Sequence, residues 1–321
     1  MLSGYVHEKG GLRRLAPDEP LHSALWLDLA DPDEDERARA AAVLGAPVPG
    51  RAEMEEIEIS SRLYQDAQAA YLTIVLPALS ETAEPIIGPV AFVLTRDRLV
   101  STRHIAPRPF ETYPGRAGGT GFGCASADSV LMGLMAEFID RLADILERIG
   151  GDLEGVSKRV FRRQGGRRSS EELRGLLEDI GRKGDLLGEI GASLLSIERA
   201  LGFFGQILEE RTDNKGLRRA LRTQLSDVKS LSEHSAFLNE KVSLMLDATL
   251  GMINIAQNDT IKIFSVLAVV FMPPTLIASI YGMNFRWMPE LHTVWGYPFA
   301  LMLMLASAVG TYRFFRRRGW L

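Results

Sequence analysis

The residues Gly282, Met283 and Asn284 follow an uncharged apolar run, and their types allow chemistry of two kinds. Glycine permits a tight or left-handed exit from a helix, and both Gly and Asn are favoured at helix C-caps. Asn284 also offers a neutral amide oxygen, and a symmetric ring of such oxygens can receive a hydrated divalent ion through its waters. Because Mg²⁺ sheds water reluctantly, recognition of its outer shell is physically reasonable. The spacing alone favours a helix C-cap over an ion-binding ring.

Two apolar runs must position this tripeptide. Residues 263–281 and 294–312 each contain 19 residues and no charge, which is enough for a helix to cross a hydrocarbon core of about 30 Å. The loop 282–293 carries only Arg286 and Glu290 as charged residues, whereas four arginines lie in the tail 313–321. Positive residues favour the cytoplasmic side, so we expect an inner-membrane protein with both termini in the cytoplasm.

The composition excludes several other classes of protein. The chain has 321 residues, a net charge of −4 and a single cysteine, so an intramolecular disulfide and a thiolate metal site are ruled out. The absence of a large basic cluster outside the C-terminus argues against nucleic acid as a partner. The sequence shows no pairing of a nucleophile with a base, no phosphate loop and no zinc motif. We therefore predict that the protein is not an enzyme and has no cofactor.

The pattern along the chain predicts an α+β membrane protein. Residues 1–125 are predicted as a cytoplasmic α/β domain, in which 90–94 and 99–104 form a hairpin and residues 107–123 form a linker. Residues 31–36 are typical of a helix start, with Asp31 as the cap and Pro32 at the first helical position. Two helices are expected in 126–216, and a single helix of roughly 97 Å in 217–281 includes the first span at about 262–281. A periplasmic loop (282–293), a second span (294–312) and a cytoplasmic basic tail (313–321) complete the prediction.

One face of the first span mixes small, polar and apolar side chains at a spacing of about 3.5 residues. Two spans per chain cannot enclose a water-filled path, so transport would require an oligomer. A ring of such helices would be partly polar inside, with apolar constrictions able to gate by dewetting. Alternatively, the small residues let helices pack closely, and the stripe alone favours that interpretation. The face comprises Asn258, Ile261, Ser265, Ala268, Met272, Thr275 and Ser279, with Phe264 beside it.

Several motifs resemble those of the CorA family of magnesium transporters, in its proteobacterial branch. They are YGMNF at 281–285, MPEL at 288–291, WGYP at 295–298 and RRRGWL at 316–321. The resemblance implies a homopentameric channel for hydrated Mg²⁺, with Co²⁺ and Ni²⁺ as secondary substrates, that closes when cytoplasmic Mg²⁺ binds between subunits. It also implies that Gly282, Met283 and Asn284 form the selectivity filter, with Asn284 contacting Mg²⁺ through its waters. The remaining implied roles are an inner ring at Asn258, a hydrophobic gate at Ile261 and Phe264, and middle rings at Met272 and Thr275.

Two positions depart from the family pattern. Arg286 follows the filter where glutamate is frequent, and this cation would repel Mg²⁺ unless it points away or pairs with Glu290. Thr223 stands where some members carry a regulatory aspartate, with Asp227 one turn later, so the regulatory ligands cannot be transferred. Two alternatives remain open: a Zn²⁺ transporter of the related ZntB group, and a membrane-anchored scaffold.

Overall fold

The computed structural model describes residues 1–56, 58–78, 85–161, 170–211, 214–283 and 293–320. The chain divides into two compact units. The N-terminal unit comprises Met1–Phe161 and Glu178–Met245, and the C-terminal unit comprises Arg162–Leu177 and Leu246–Leu321.

A seven-stranded sheet forms the centre of the N-terminal unit, with the strand order β2-β1-β3-β7-β6-β5-β4. The strands are antiparallel to their neighbours except for β3 and β7, which are parallel. The predicted hairpin is confirmed, because β6 and β7 pair from Val90↔Arg103 to Leu94↔Leu99. The strands are β1 (Leu2–Glu8), β2 (Gly11–Arg14), β3 (Trp26–Ala30), β4 (Leu63–Gln65), β5 (Ala70–Ala78), β6 (Ile86–Leu94) and β7 (Leu99–Arg103).

Eight α-helices lie in the described part of the chain. Four of them are short: α1 (Glu34–Leu44), α2 (Arg51–Glu55), α3 (Ile59–Arg62) and α4 (Pro109–Arg116). The other four are α5 (Ala127–Phe161), α6 (Ser170–Arg211), α7 (Lys215–Tyr281) and α8 (Gly296–Arg317). Helix α1 begins later than predicted, because Asp33 is its cap and accepts from the Glu36 backbone at 2.7 Å. Asp31 instead has a left-handed φ of 45° and donates its backbone N–H to Arg103 O.

Helix α4 corrects the prediction of a linker at 107–123. Pro109 occupies the first helical position, where its missing N–H costs no hydrogen bond. Phe110 and Tyr113, one turn apart, then bury their rings against the sheet and α5. The ring of Phe110 lies 5.4 Å from that of Phe138, and the ring of Tyr113 lies 6.0 Å from that of Trp26. Burial of large aromatic side chains therefore outweighs the local preference of proline and glycine for loops.

A buried polar network joins β3, β7 and α4. Trp26 Nε1 donates to Ser101 Oγ at 2.9 Å, and Ser101 Oγ donates to Asp28 Oδ1 at 2.8 Å. Arg103 forms an ion pair with Asp28 at 3.0 Å, and its guanidinium lies 4.5 Å from the centre of the Phe110 ring. Each polar side chain named in this network therefore has a hydrogen-bond or ionic partner, as burial requires.

Helix α7 is continuous over 67 residues and belongs to both units. Within the N-terminal unit it buries apolar side chains such as Leu221, Val228 and Met245, together with Gln224, which donates to Met132 O at 3.0 Å. By length and composition, α7 and α8 can each span a membrane, and most of each apolar segment is uncovered.

Candidate pore-lining helix

The apolar end of α7 carries the eight predicted pore-lining residues, and all eight are exposed: Asn258, Ile261, Phe264, Ser265, Ala268, Met272, Thr275 and Ser279. The exposure is large for apolar side chains, at 61% for Ile261, 67% for Phe264 and 65% for Met272. In water such exposure would be costly. It is expected where lipid or a second subunit covers the helix.

The covered side of this segment lies opposite the predicted face. Val266 is only 3% exposed, and Val270, Ile277 and Tyr281 are half-buried. At about 100° of rotation per residue, these four positions fall on one side of the helix. The middle of the predicted face falls on the other side, at Ile261, Ala268, Met272, Thr275 and Ser279. Within one chain, the polar and small residues of the predicted face are uncovered, and so are apolar residues beside it such as Phe271 and Leu276.

The Thr275 hydroxyl on this face uses its hydrogen in a bond to the helix backbone. Thr275 Oγ1 donates to Phe271 O at 2.7 Å. Its oxygen lone pairs then remain available to accept from water. A threonine in this arrangement presents an acceptor without a charge, which suits contact with the water shell of a cation.

Two adjacent prolines interrupt the hydrogen-bond ladder of α7 without ending the helix. Pro273 and Pro274 have no N–H, so the carbonyls of Val269 and Val270 lose their donors four residues on. The helix nevertheless continues to Tyr281. At membrane depth, carbonyls of this kind need water or another donor. The two adjacent prolines are the local sequence signal for this interruption.

The C-terminal end of α7 closes with a tightened last turn. Gly282 N donates to Ala278 O at 2.9 Å, and Met283 N donates to Ile280 O at 3.2 Å. The positive-φ glycines are at other positions, so Gly282 does not make the left-handed exit that glycine permits. A Cβ at Gly282 would lie 3.1 Å from Ala278 O, a tight contact, so glycine serves close approach here. Asn284, Arg286 and Glu290 lie outside the described residues, and their roles stay predictions.

The N-terminal end of the apolar segment carries a pair of opposite charges beside the exposed Asn258. Lys262 Nζ lies 3.4 Å from Asp259 Oδ1, with the lysine side chain 50% exposed. An exposed pair of this kind contributes little to stability. It does place a cation and an anion next to the predicted inner ring.

Carboxylates on two helices of the N-terminal unit influence each other electrostatically, a feature that the sequence did not predict. Desolvation raises the pKa of Asp140 in α5; Arg116 opposes this shift, and Asp144 and Asp227 add to it. Asp227 belongs to α7, far along the chain, so no local motif could reveal this proximity. Thr223 itself is exposed, and its hydroxyl donates to Arg219 O at 3.2 Å. Among the residues that the structure describes, no three His, Cys, Asp or Glu side chains are grouped closely enough to hold a metal.

Comparison with known proteins decides the family. The model of the CorA-like Mg²⁺ transporter proteins matches residues 22–317. The chain belongs to the CorA family. It is 38% identical to the magnesium transport protein CorA of Escherichia coli strain K12, over 100% of both chains. The magnesium transport protein CorA of Salmonella typhimurium strain LT2 is likewise 38% identical over 100% of both chains. The predicted family is therefore confirmed.

Solved structures of CorA and related proteins share the fold. The complete CorA magnesium transporter from Methanocaldococcus jannaschii gives a TM-score of 0.79 at 20% identity, with 100% of this chain and 99% of that chain covered. The full-length CmaX protein gives 0.64 at 16% identity, covering 99% and 97%. The ZntB cytoplasmic domain from Vibrio parahaemolyticus gives only 0.54 at 14% identity, covering 78% and 96%. The predicted fold class, an α/β domain followed by a long helix and two apolar helices, is confirmed as that of CorA.

Proposed function

We propose that this chain is one subunit of a homopentameric channel that passes hydrated Mg²⁺ across the inner membrane. The observation that carries the proposal is the full-length identity of 38% to a protein named a magnesium transport protein. That identity covers the cytoplasmic unit as well as the spans, so it supports a shared mechanism rather than a shared anchor. Neither an enzymatic reaction nor a resident cofactor enters the proposal, and nucleic acid is not a partner.

The uncovered face of α7 supports the arrangement of the pore. Two spans per chain cannot enclose a water-filled path, so several copies must turn the same face toward a common axis. The face opposite Val266 is uncovered in one chain, and it is the face that carries the threonine and serine hydroxyls. In the assembly, lipid covers the remaining apolar surface.

Conduction then needs no covalent chemistry. The Asn284 amide oxygens, with Gly282 and Met283 shaping the filter, would receive the water shell of Mg²⁺. The hydrated ion would next pass the hydroxyls of Ser279 and Thr275, which replace hydrogen bonds of bulk water without stripping the shell. The driving force is the electrochemical gradient.

Ile261 and Phe264 form the narrow apolar part of the path near the cytoplasm. When rings of such side chains approach each other, water leaves the gap, and a hydrated ion cannot enter. Small rotations of α7 would widen the ring and wet it. Asn258 would receive the ion at the cytoplasmic end, where both chain termini lie.

Control by cytoplasmic Mg²⁺ fits the carboxylates near Asp140. The pKa of Asp140 is raised by desolvation and by Asp144 and Asp227, so its ionised form is disfavoured in the isolated chain. A bound divalent cation would relieve that repulsion. Because no three-carboxylate group forms within one described chain, such a site would need ligands from a second subunit. Occupancy would then hold subunits together and the pore closed.

Flux into liposomes containing the purified protein tests the proposal. We expect Mg²⁺ uptake that exceeds Zn²⁺ uptake and that falls steeply in Asn284→Ala. Asn239→Ala, the same substitution on an exposed position of α7 outside the apolar segment, is the control and should keep normal flux. A preference for Zn²⁺ would support the ZntB-type alternative, and absence of flux would support the scaffold. Co²⁺ and Ni²⁺ are expected to enter as secondary substrates.

A further inference from the structure

The cytoplasmic end of α8 carries three arginines on one side of its last turns. Arg313, Arg316 and Arg317 are exposed, and because Arg316 and Arg317 follow Arg313 by three and four residues, the three lie on one helix face. Within the described residues, none of the three forms an ion pair or a side-chain hydrogen bond. Three unpaired guanidinium groups in one patch repel each other, so a binding partner with negative charge would stabilise the patch.

The opposite side of α8 is the side that the protein covers. Ala300 is 6% exposed, and half-buried positions follow it at helical spacing, at Met304, Ser307, Thr311 and Phe315. At about 100° per residue, the three arginines point away from this covered side. The arginine face is therefore a free surface of the chain.

Aromatic side chains fix the end of the helix beside the arginines. Gly319 has a φ of 71°, which turns the chain back so that Trp320 N donates to Phe315 O at 3.2 Å. The Trp320 ring lies 5.5 Å from the Phe315 ring and remains 46% exposed. The Arg318 guanidinium lies 5.0 Å from the centre of the Phe314 ring. A half-exposed tryptophan beside arginines is the composition of a membrane–water boundary.

The direction of the arginine face follows from the proposed pore, on which this step rests. The end of α7 and the whole of α8 belong to one compact unit, and they are its two apolar helices. If the face of α7 opposite Val266 lines the pore, the covered side of α7 looks outward, and the second span α8 then lies on that outer side in the proposed assembly. The covered side of α8 then looks inward, and its arginines look outward into the lipid headgroups.

We propose that Arg313, Arg316 and Arg317 bind the phosphodiester groups of anionic phospholipids. Guanidinium forks match phosphate oxygens geometrically and form charge-assisted hydrogen bonds with them. The patch directly follows an uncharged run of 19 residues, which sets it at headgroup depth. Clusters of basic residues immediately cytoplasmic of a membrane helix typically attract anionic lipid. Trp320 holds the tail at the same depth.

Lipid titration of the purified full-length protein in detergent tests this site. Native mass spectrometry counts bound phosphatidylglycerol against phosphatidylcholine, without any ion flux. We expect a preference for phosphatidylglycerol that weakens with salt, because the contact is electrostatic. Replacing Arg313, Arg316 and Arg317 with Gln should weaken phosphatidylglycerol binding on the order of 100-fold, about fivefold per charge.

Matched variants separate this site from general charge effects. The control removes three exposed charges from the N-terminal unit, at Lys9, Arg39 and Arg199, and should bind phosphatidylglycerol like the parent protein. Replacing the three tail arginines with Lys should retain part of the preference, because charge remains while the planar fork is lost.

Three results would overturn the proposal: no preference for phosphatidylglycerol, insensitivity of that preference to salt, or an equal loss in the control. Competition by millimolar inorganic phosphate would show that the site takes free anions, and it would also overturn the assignment to lipid. If the Gln variant does not fold, the salt titration and the Lys variant still decide. A protein that prefers phosphatidylglycerol but conducts no ion would refute the channel and leave the lipid site standing.

Discussion

Replacing Asp28 with Asn removes one charge from the buried network of the sheet and leaves its partner behind. Asp28 and Arg103 have side-chain exposures of only 7% and 11%. Asp28 also accepts from Ser101 Oγ at 2.8 Å. In Asp28→Asn the amide oxygen can keep the contact with Ser101, but the guanidinium loses its countercharge while it stays buried.

The expected cost follows from that geometry. Removing one partner of a buried ion pair typically costs about 3–5 kcal/mol, because the remaining charge stays desolvated. The retained Ser101 hydrogen bond and the Phe110 ring beside Arg103 place Asp28→Asn at the lower end, about 3 kcal/mol. For a unit of this size, that corresponds to a fall in Tm of roughly 6–12 °C.

Thermal unfolding of the full chain in detergent, followed by near-ultraviolet circular dichroism, measures this shift. Asp18→Asn, at an exposed position, is the matched control and should leave Tm unchanged. Arg103→Met combined with Asp28→Leu should recover most of the loss, since a buried pair can often be replaced by apolar groups. A fall in Tm below about 2 °C in Asp28→Asn would refute the reasoning. So would a fall in Tm of the double variant that equals the sum of the falls caused by the two single substitutions.

Three further predictions concern packing, regulation and the filter. A Cβ at Gly133 would overlap the Tyr113 ring, so Gly133→Ala should lower the free energy of unfolding by about 1–3 kcal/mol, measured by thermal unfolding. Tyr113→Phe should leave the stability unchanged, because the buried hydroxyl has no partner among the described residues. Asp140→Asn should weaken closure by cytoplasmic Mg²⁺, measured as liposome flux that persists at higher internal Mg²⁺; unchanged inhibition would exclude Asp140 from control. Arg286→Glu should raise uptake at low external Mg²⁺, because it replaces a repelling charge beside the filter, and an unchanged apparent affinity would contradict this.

Much of the fold was predictable because local patterns agree with the packing. The β6–β7 hairpin follows from two β-rich runs around a short polar turn, and the long helix follows from a stretch nearly free of proline and glycine. Helix α4 was not predictable from the prolines and glycines of residues 107–123, because its formation depends on burying Phe110 and Tyr113 in a core built from distant parts of the chain. The cap of α1 was misplaced for a similar reason. Asp31 lies outside the helix because its backbone N–H donates to Arg103 O at the end of β7.

The candidate site also contains residues that local sequence patterns predict and residues whose proximity depends on packing. The predicted pore face was visible in the sequence because helical spacing alone brings its residues to one side of α7. The carboxylates around Asp140 were not visible, because the approach of Asp227 depends on how α5 and α7 pack. The arginine face of α8 needed the burial of the opposite side before its direction could be stated. The filter residue Asn284 remains a prediction from the motif.

Accessibility of single cysteines on α7 tests the central claim, that the face opposite Val266 lines the ion path. In a background of Cys124→Ser, Ser279→Cys lies on the predicted pore face, and Ile277→Cys lies on the covered side of the same turn. Mg²⁺ flux into liposomes is measured before and after addition of a positively charged thiol reagent. We predict that the reagent blocks flux in Ser279→Cys and leaves flux in Ile277→Cys unchanged. Block in Ile277→Cys with none in Ser279→Cys would contradict the account.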